Sequence, residues 1–171
     1  MHPFSNKRLI FVLLALMWAQ ISLISLIAIK GIKPDLFYIF LSFYALKIDW
    51  KRIVPAAFFV GLLRDLISNS FFGIETTAFV ASALILQFFV TQFDREKKWI
   101  QLTSLFTFSW VNLILFFALS FFTTGHYDFL NQLWIRTFFI STYTTVLGFI
   151  LFPILEEWLK SILYEKQYEL F

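Results

Sequence analysis

An all-α membrane protein with six transmembrane helices is the fold class this sequence predicts, on three observations. First, 60% of the 171 residues are hydrophobic and the mean hydropathy is +0.78, where a soluble domain is about 45–50% apolar. Charged residues make up 15%, against about 25% in soluble proteins. A water-soluble domain of this size cannot hide so much apolar surface, and a bilayer makes hiding it unnecessary. Second, the apolar residues fall into six runs. Third, Lys and Arg gather beside alternate ends of those runs. No Pro-, Gly- or Ser-rich linker divides the chain, so residues 1–171 form a single integral membrane domain.

The first run, "LIFVLLALMWAQISLISLIAI" (9–29), follows Lys7 and Arg8. It exceeds the roughly 7–15 apolar residues of a signal peptide and lacks an A-x-A cleavage site, so it reads as a retained helix. Pro34 and Asp35 open the second, 34–46, with helix-starting chemistry. The third, 53–68, places Pro55 in its first turn, where no backbone donor is lost. These two are shorter than the roughly 20 residues that span a bilayer core. The fourth covers 74–93, the fifth 100–122 and the sixth 133–155. The tail, 156–171, is charged with apolar residues at helical spacing, which predicts a helix leaving the membrane or lying on it. Its "EEWLK" at Glu156 reads as a solvated helix end.

Six helices leave seven flanks. With the N-terminus cytoplasmic, the inner flanks hold Lys7, Arg8, Lys47, Lys51, Arg52, Arg95, Lys97, Lys98, Lys160 and Lys166. These are ten of the 14 basic residues. The positive-inside rule therefore places both termini in the cytoplasm. The net charge of +3 is a matter of membrane orientation, not of nucleic acid. The 25 Phe serve as core filling and as contact with membrane lipid.

Chemistry-bearing motifs are few. With no Cys, disulfides, thiolate catalysis and thiolate metal sites are excluded. His2 and His126 lie at opposite ends of the chain, which disfavours a histidine metal centre. There is no Walker loop, serine–histidine arrangement or zinc spacing. The reading is of a non-enzyme with no catalytic residue, cofactor or metal.

Attention falls instead on "GLLRDLISNSFFG" (61–73), where Arg64 and Asp65 interrupt an apolar run. Asp65 is thirteen residues from Arg52, about 20 Å along a helix. Asp35 is twelve residues from Lys47 on the preceding antiparallel helix, about 18 Å above the same surface. Both aspartates thus fall within the outer leaflet of a core about 30 Å thick. Ala57, Gly61, Asp65 and Ser68 share one side of the third helix, so Asp65 is expected to face the bundle. Arg64 could serve as counter-charge within an arginine–carboxylate cluster, or snorkel to headgroups at the end of a short helix. Asp35 could cap the second helix, pair with a cation, or do both. Asn112, and the stripe Thr137, Ser141, Thr144 and Gly148, read as interhelical packing.

Lys33-Pro34-Asp35 opening the second helix, followed by G-x3-D-x7-G at Gly61, Asp65 and Gly73, resembles the MreD family of rod shape-determining proteins. The specific likeness covers about residues 33–89. The resemblance implies a non-enzymatic scaffold of the bacterial elongation machinery in the inner membrane, supporting cell shape and lateral peptidoglycan synthesis. Its implied partners are MreC, MreB, RodA and a class B penicillin-binding transpeptidase. It also implies a fold similar to the six-helix substrate-binding component of energy-coupling-factor transporters. The motif positions carried over are Pro34, Asp35, Gly61, Asp65 and Gly73; Arg64 is not among them. The residues alone leave a second reading open, a substrate-binding component of a vitamin-type transporter. Asp35, Arg64 and Asp65 would then hold a polar ligand, with Trp134 or Tyr127 in a lid.

Overall fold

A computed structural model describes residues 6–22, 24, 26–29, 31–47, 50–68, 71–93, 95, 97–124 and 130–163. Among these the chain is all-helical: α1 (Asn6–Ser22), α2 (Leu36–Lys47), α3 (Trp50–Ile67), α4 (Ile74–Val90), α5 (Lys98–Thr124) and α6 (Leu130–Leu163). The expected boundaries shift in four places. α1 stops at Ser22 rather than residue 29. The chain then turns through a tight backbone pairing in which Ile29 and Ile32 exchange hydrogen bonds of 3.1 and 2.9 Å. α3 begins at Trp50, so Pro55 lies inside it instead of in the first turn, and the ladder lacks the bond Pro55 would donate to the carbonyl of residue 51. α4 ends at Val90, where Thr91 and Gln92 turn back onto the carbonyls of Gln87 and Phe89. α6 continues to Leu163, so the first half of the charged tail extends the sixth helix. The rest of the tail lies outside the described residues.

α2 is the axis of the bundle. All its residues from Phe37 to Leu46 are buried, and it touches each of the other five helices. A helix that is apolar all round has no face to give to water, so it takes the centre. Around it, α3, α4, α5 and α6 pack in chain order. Aromatic side chains fill the axis. Tyr38 meets Phe79 at 5.3 Å and Phe108 at 5.9 Å between ring centroids, and Phe43 meets Phe152 at 5.6 Å.

Helix length divides the six. Lys98–Thr123 of α5 and Trp134–Glu157 of α6 are long and apolar enough to cross a membrane. α2, with 12 residues, reaches only about 18 Å. The second and third helices are short, as expected, and α1 and α4 are short as well: α1, α3 and α4, at 17, 18 and 17 residues, come to about 25–27 Å.

A cross-helix cap and a charged node

Asp65 does not pair with Arg64. Its carboxylate closes the N-terminus of α4. Oδ2 accepts from the backbone N–H of Gly73 at 3.0 Å and of Thr76 at 3.1 Å, and from the Thr76 hydroxyl at 2.5 Å. Oδ1 accepts from the N–H of Glu75 at 3.0 Å. The first N–H groups of any helix lack an intrahelical partner and carry the positive end of its dipole. Ordinarily the N-cap residue's own side chain serves them. Here the N-cap is Gly73, which has none, and an aspartate of the preceding helix supplies the oxygens. Asp65 is 5% exposed, so this carboxylate acquires in protein the donors it gave up in water.

The two glycines of the motif follow from the same geometry. Gly61 lies one turn before Asp65 and faces the start of α4. A Cβ there would fall inside contact distance of the Thr76 Cα, and lie 3.1 Å from the Thr76 nitrogen and 3.2 Å from the Glu75 carbonyl. The bare backbone lets α4 approach closely enough for Asp65 to reach it. Gly73 has φ of +97°, a conformation L side chains rarely adopt, and that turn aims the first N–H groups of α4 back at α3. Ala57 and Gly61 are buried and Ser68 is half-buried, so the small face of α3 is the one that meets α4.

Arg64 points to a different set of partners. Its terminal nitrogen lies 3.2 Å from Asp35 Oδ2 and 3.7 Å from Glu75 Oε1. It thus joins the ends of α2, α3 and α4. Its role as counter-charge in an arginine–carboxylate cluster is directed at Asp35 and Glu75, which share its one positive charge, and not at its sequence neighbour Asp65. Asp35 both caps and pairs. Oδ1 accepts from the Phe37 N–H at 2.9 Å while Oδ2 faces Arg64, and its own N–H donates to Thr144 Oγ1 of α6 at 3.1 Å. Next to it, the Gln20 amide of α1 donates to the Pro34 carbonyl at 3.3 Å and accepts from the Leu36 N–H at 2.9 Å. Pro34 therefore sits where its carbonyl, not a missing N–H, is used.

A second polar relay runs one turn deeper. The Tyr38 hydroxyl donates to Asn112 Oδ1 at 3.0 Å, and Asn112 donates to Ser82 Oγ at 2.8 Å. It ties α2, α5 and α4 together. Sequence reasoning singled out Asn112 but missed Tyr38, Ser82, Gln20 and Glu75. A signal for Glu75 existed: it is the only acidic residue within the fourth apolar run, and an intramembrane carboxylate asks for a partner. Of the residues named for a ligand lid, Trp134 is exposed and Tyr127 lies outside the described residues. Among the described residues no cluster of acidic or histidine side chains could hold a metal ion.

The model of one protein family, rod shape-determining protein MreD, matches residues 6–166 of this chain. No curated protein and no solved structure matches it, so the expected likeness to energy-coupling-factor components finds no support there. The match takes in all six helices up to their last residues and both glycines, the aspartates and the proline of the node and cap. This chain belongs to the MreD family of rod shape-determining membrane proteins.

Proposed function

We propose that this protein is a non-enzymatic scaffold of the bacterial rod complex, held in the inner membrane by six helices with both termini in the cytoplasm. It would support lateral peptidoglycan synthesis by binding MreC and, with it, MreB, RodA and a class B transpeptidase. Family membership across residues 6–166 carries this reading. The disposition of charge supports it. Asp35, Arg64 and Glu75 are engaged with one another, and Asp65 with the start of α4. Such bonding holds helices in fixed register and leaves the partner contacts to the outer faces of the bundle. The basic residues at Lys47, Lys51, Arg52, Arg95, Lys97 and Lys98 support the cytoplasmic placement of the inner loops.

Affinity purification of the tagged chain from its own membranes tests the proposal. MreC and wall synthases should co-elute in stoichiometric amount. Recovery of a bound vitamin with no elongation protein would replace the scaffold by the transporter reading.

A further inference from the structure

The outer side of the bundle carries a step. Two contacts fix the register of α2 against α6, which run parallel: the Asp35 N–H with Thr144 Oγ1, and Lys47 with Glu156 at 3.3 Å. Both pairs are 109 residues apart, so the helices keep level from end to end. The four short helices stop at the charged node. α1 ends two residues after Gln20, α2 begins one residue after Asp35, α3 ends three residues after Arg64, and α4 begins one residue before Glu75. α6, in contrast, begins fourteen residues beyond Thr144, about 21 Å further out. α5 ends twelve residues beyond Asn112, which is level with Tyr38, about 18 Å further out. The α5–α6 hairpin is a wall standing over a floor made by the ends of α1–α4.

That floor cannot face hydrocarbon. It carries the exposed charge of Lys33 two residues before Asp35, and Leu26, 80% exposed, lies on non-helical backbone. Irregular backbone exposed to lipid tails leaves polar groups without partners and does not occur in a membrane core. Yet the apolar span of α6 begins at Trp134, ten residues or about 15 Å outward of Thr144. Moving the whole bundle outward until the floor met water would drag Phe122, Trp134, Ile135 and Phe139, all exposed, out of the lipid. We infer that water and lipid headgroups of the outer leaflet descend onto the α1–α4 floor, while the leaflet keeps its full thickness against the α5–α6 wall. The protein thus thins the membrane on one side only, a response to hydrophobic mismatch confined to half the perimeter. This inference rests on the orientation proposed above.

The absence of cysteine makes the test direct. Single variants Leu26→Cys, Phe72→Cys, Phe139→Cys and Arg52→Cys are expressed in spheroplasts and treated with a membrane-impermeant maleimide. Only a hydrated thiol ionises, so the two floor positions should label about tenfold faster than Phe139→Cys, although position 139 lies further out along the membrane normal. Equal protection of all three would show a leaflet of full thickness over the floor and overturn the inference. Fast labelling of all three would show a bundle displaced outward and overturn it as well. Arg52→Cys should label only after permeabilisation; labelling from outside would mean that the orientation, and with it an outer step, is wrong. Ile29→Cys and Phe71→Cys, both at exposed positions, replace either floor variant that fails to accumulate.

Discussion

Replacing Asp65 with alanine removes the acceptor of three backbone N–H groups and one hydroxyl at the start of α4. The Glu75 N–H is in a buried bond, and a buried donor left unmade costs about 1–3 kcal/mol. Loss of an N-cap adds about 1 kcal/mol, and loss of a negative charge at the positive end of the helix about 0.3–1 kcal/mol. The expected destabilisation is about 2–5 kcal/mol. Asp65→Asn keeps one carbonyl oxygen and should lose about half of that. Equilibrium unfolding in mixed dodecylmaltoside and SDS micelles, followed by helical circular dichroism, measures the difference. The cap and the Gly61 contact act on the same two backbones, so Asp65→Ala combined with Gly61→Ala should cost less than the two singles added. A loss under about 0.5 kcal/mol for Asp65→Ala, the range of ordinary surface changes, would refute the cross-helix cap, as would strict additivity of the pair.

Four further outcomes follow from the same contacts. Arg64→Ala leaves Asp35 and Glu75 buried beside each other without a counter-charge, and should cost about 3–5 kcal/mol in the same unfolding assay. Gly61→Ala should destabilise by about 1–3 kcal/mol or more because the obstacle is Thr76 backbone, whereas Gly148→Ala meets only the movable end of Leu105 and should stay below about 1 kcal/mol; thermal unfolding of the two variants side by side checks the contrast. Gly73→Ala has open space around it but a positive φ, so its cost should be about 1–2 kcal/mol from backbone strain and be partly relieved in Gly73→Asn. A double-mutant cycle of Tyr38→Phe and Asn112→Leu should give a coupling of about 0.6–1.7 kcal/mol, the span of hydrogen bonds between membrane helices; a coupling near zero would mean that the relay is not formed.

Much of the helical framework could be read locally. Apolar runs gave the helix number and order because lipid-compatible segments announce themselves over many residues. The small side of α3 emerged from a spacing of four, four and three, because helical periodicity is a local property. Boundaries were read less well. Ile24, Leu26, Ile27 and Ile29 are as apolar as the helix before them, and only the Ile29–Ile32 pairing and the tie of Gln20 to Pro34 and Leu36 show that the chain has already turned. Charge at Lys51 and Arg52 reads as a flank and so puts Pro55 in a first turn, yet helical backbone begins at Trp50.

Composition and spacing by themselves determined that this chain is helical and lipid-compatible, that its acidic residues at 35 and 65 sit at one level, and that Asp65 lies on a small face. Which cation meets which carboxylate was decided only by tertiary structure. Arg64 and Asp65 are neighbours in sequence, but adjacent residues point about 100° apart on a helix, so one reaches the carboxylates of Asp35 and Glu75 and the other the first backbone N–H groups of α4. The partner of each depends on where a different helix begins and how it is levelled against its neighbours. That register is set by contacts such as Gly61 against Thr76 and Asp35 against Thr144, between residues 15 and 109 positions apart, and no local pattern encodes it.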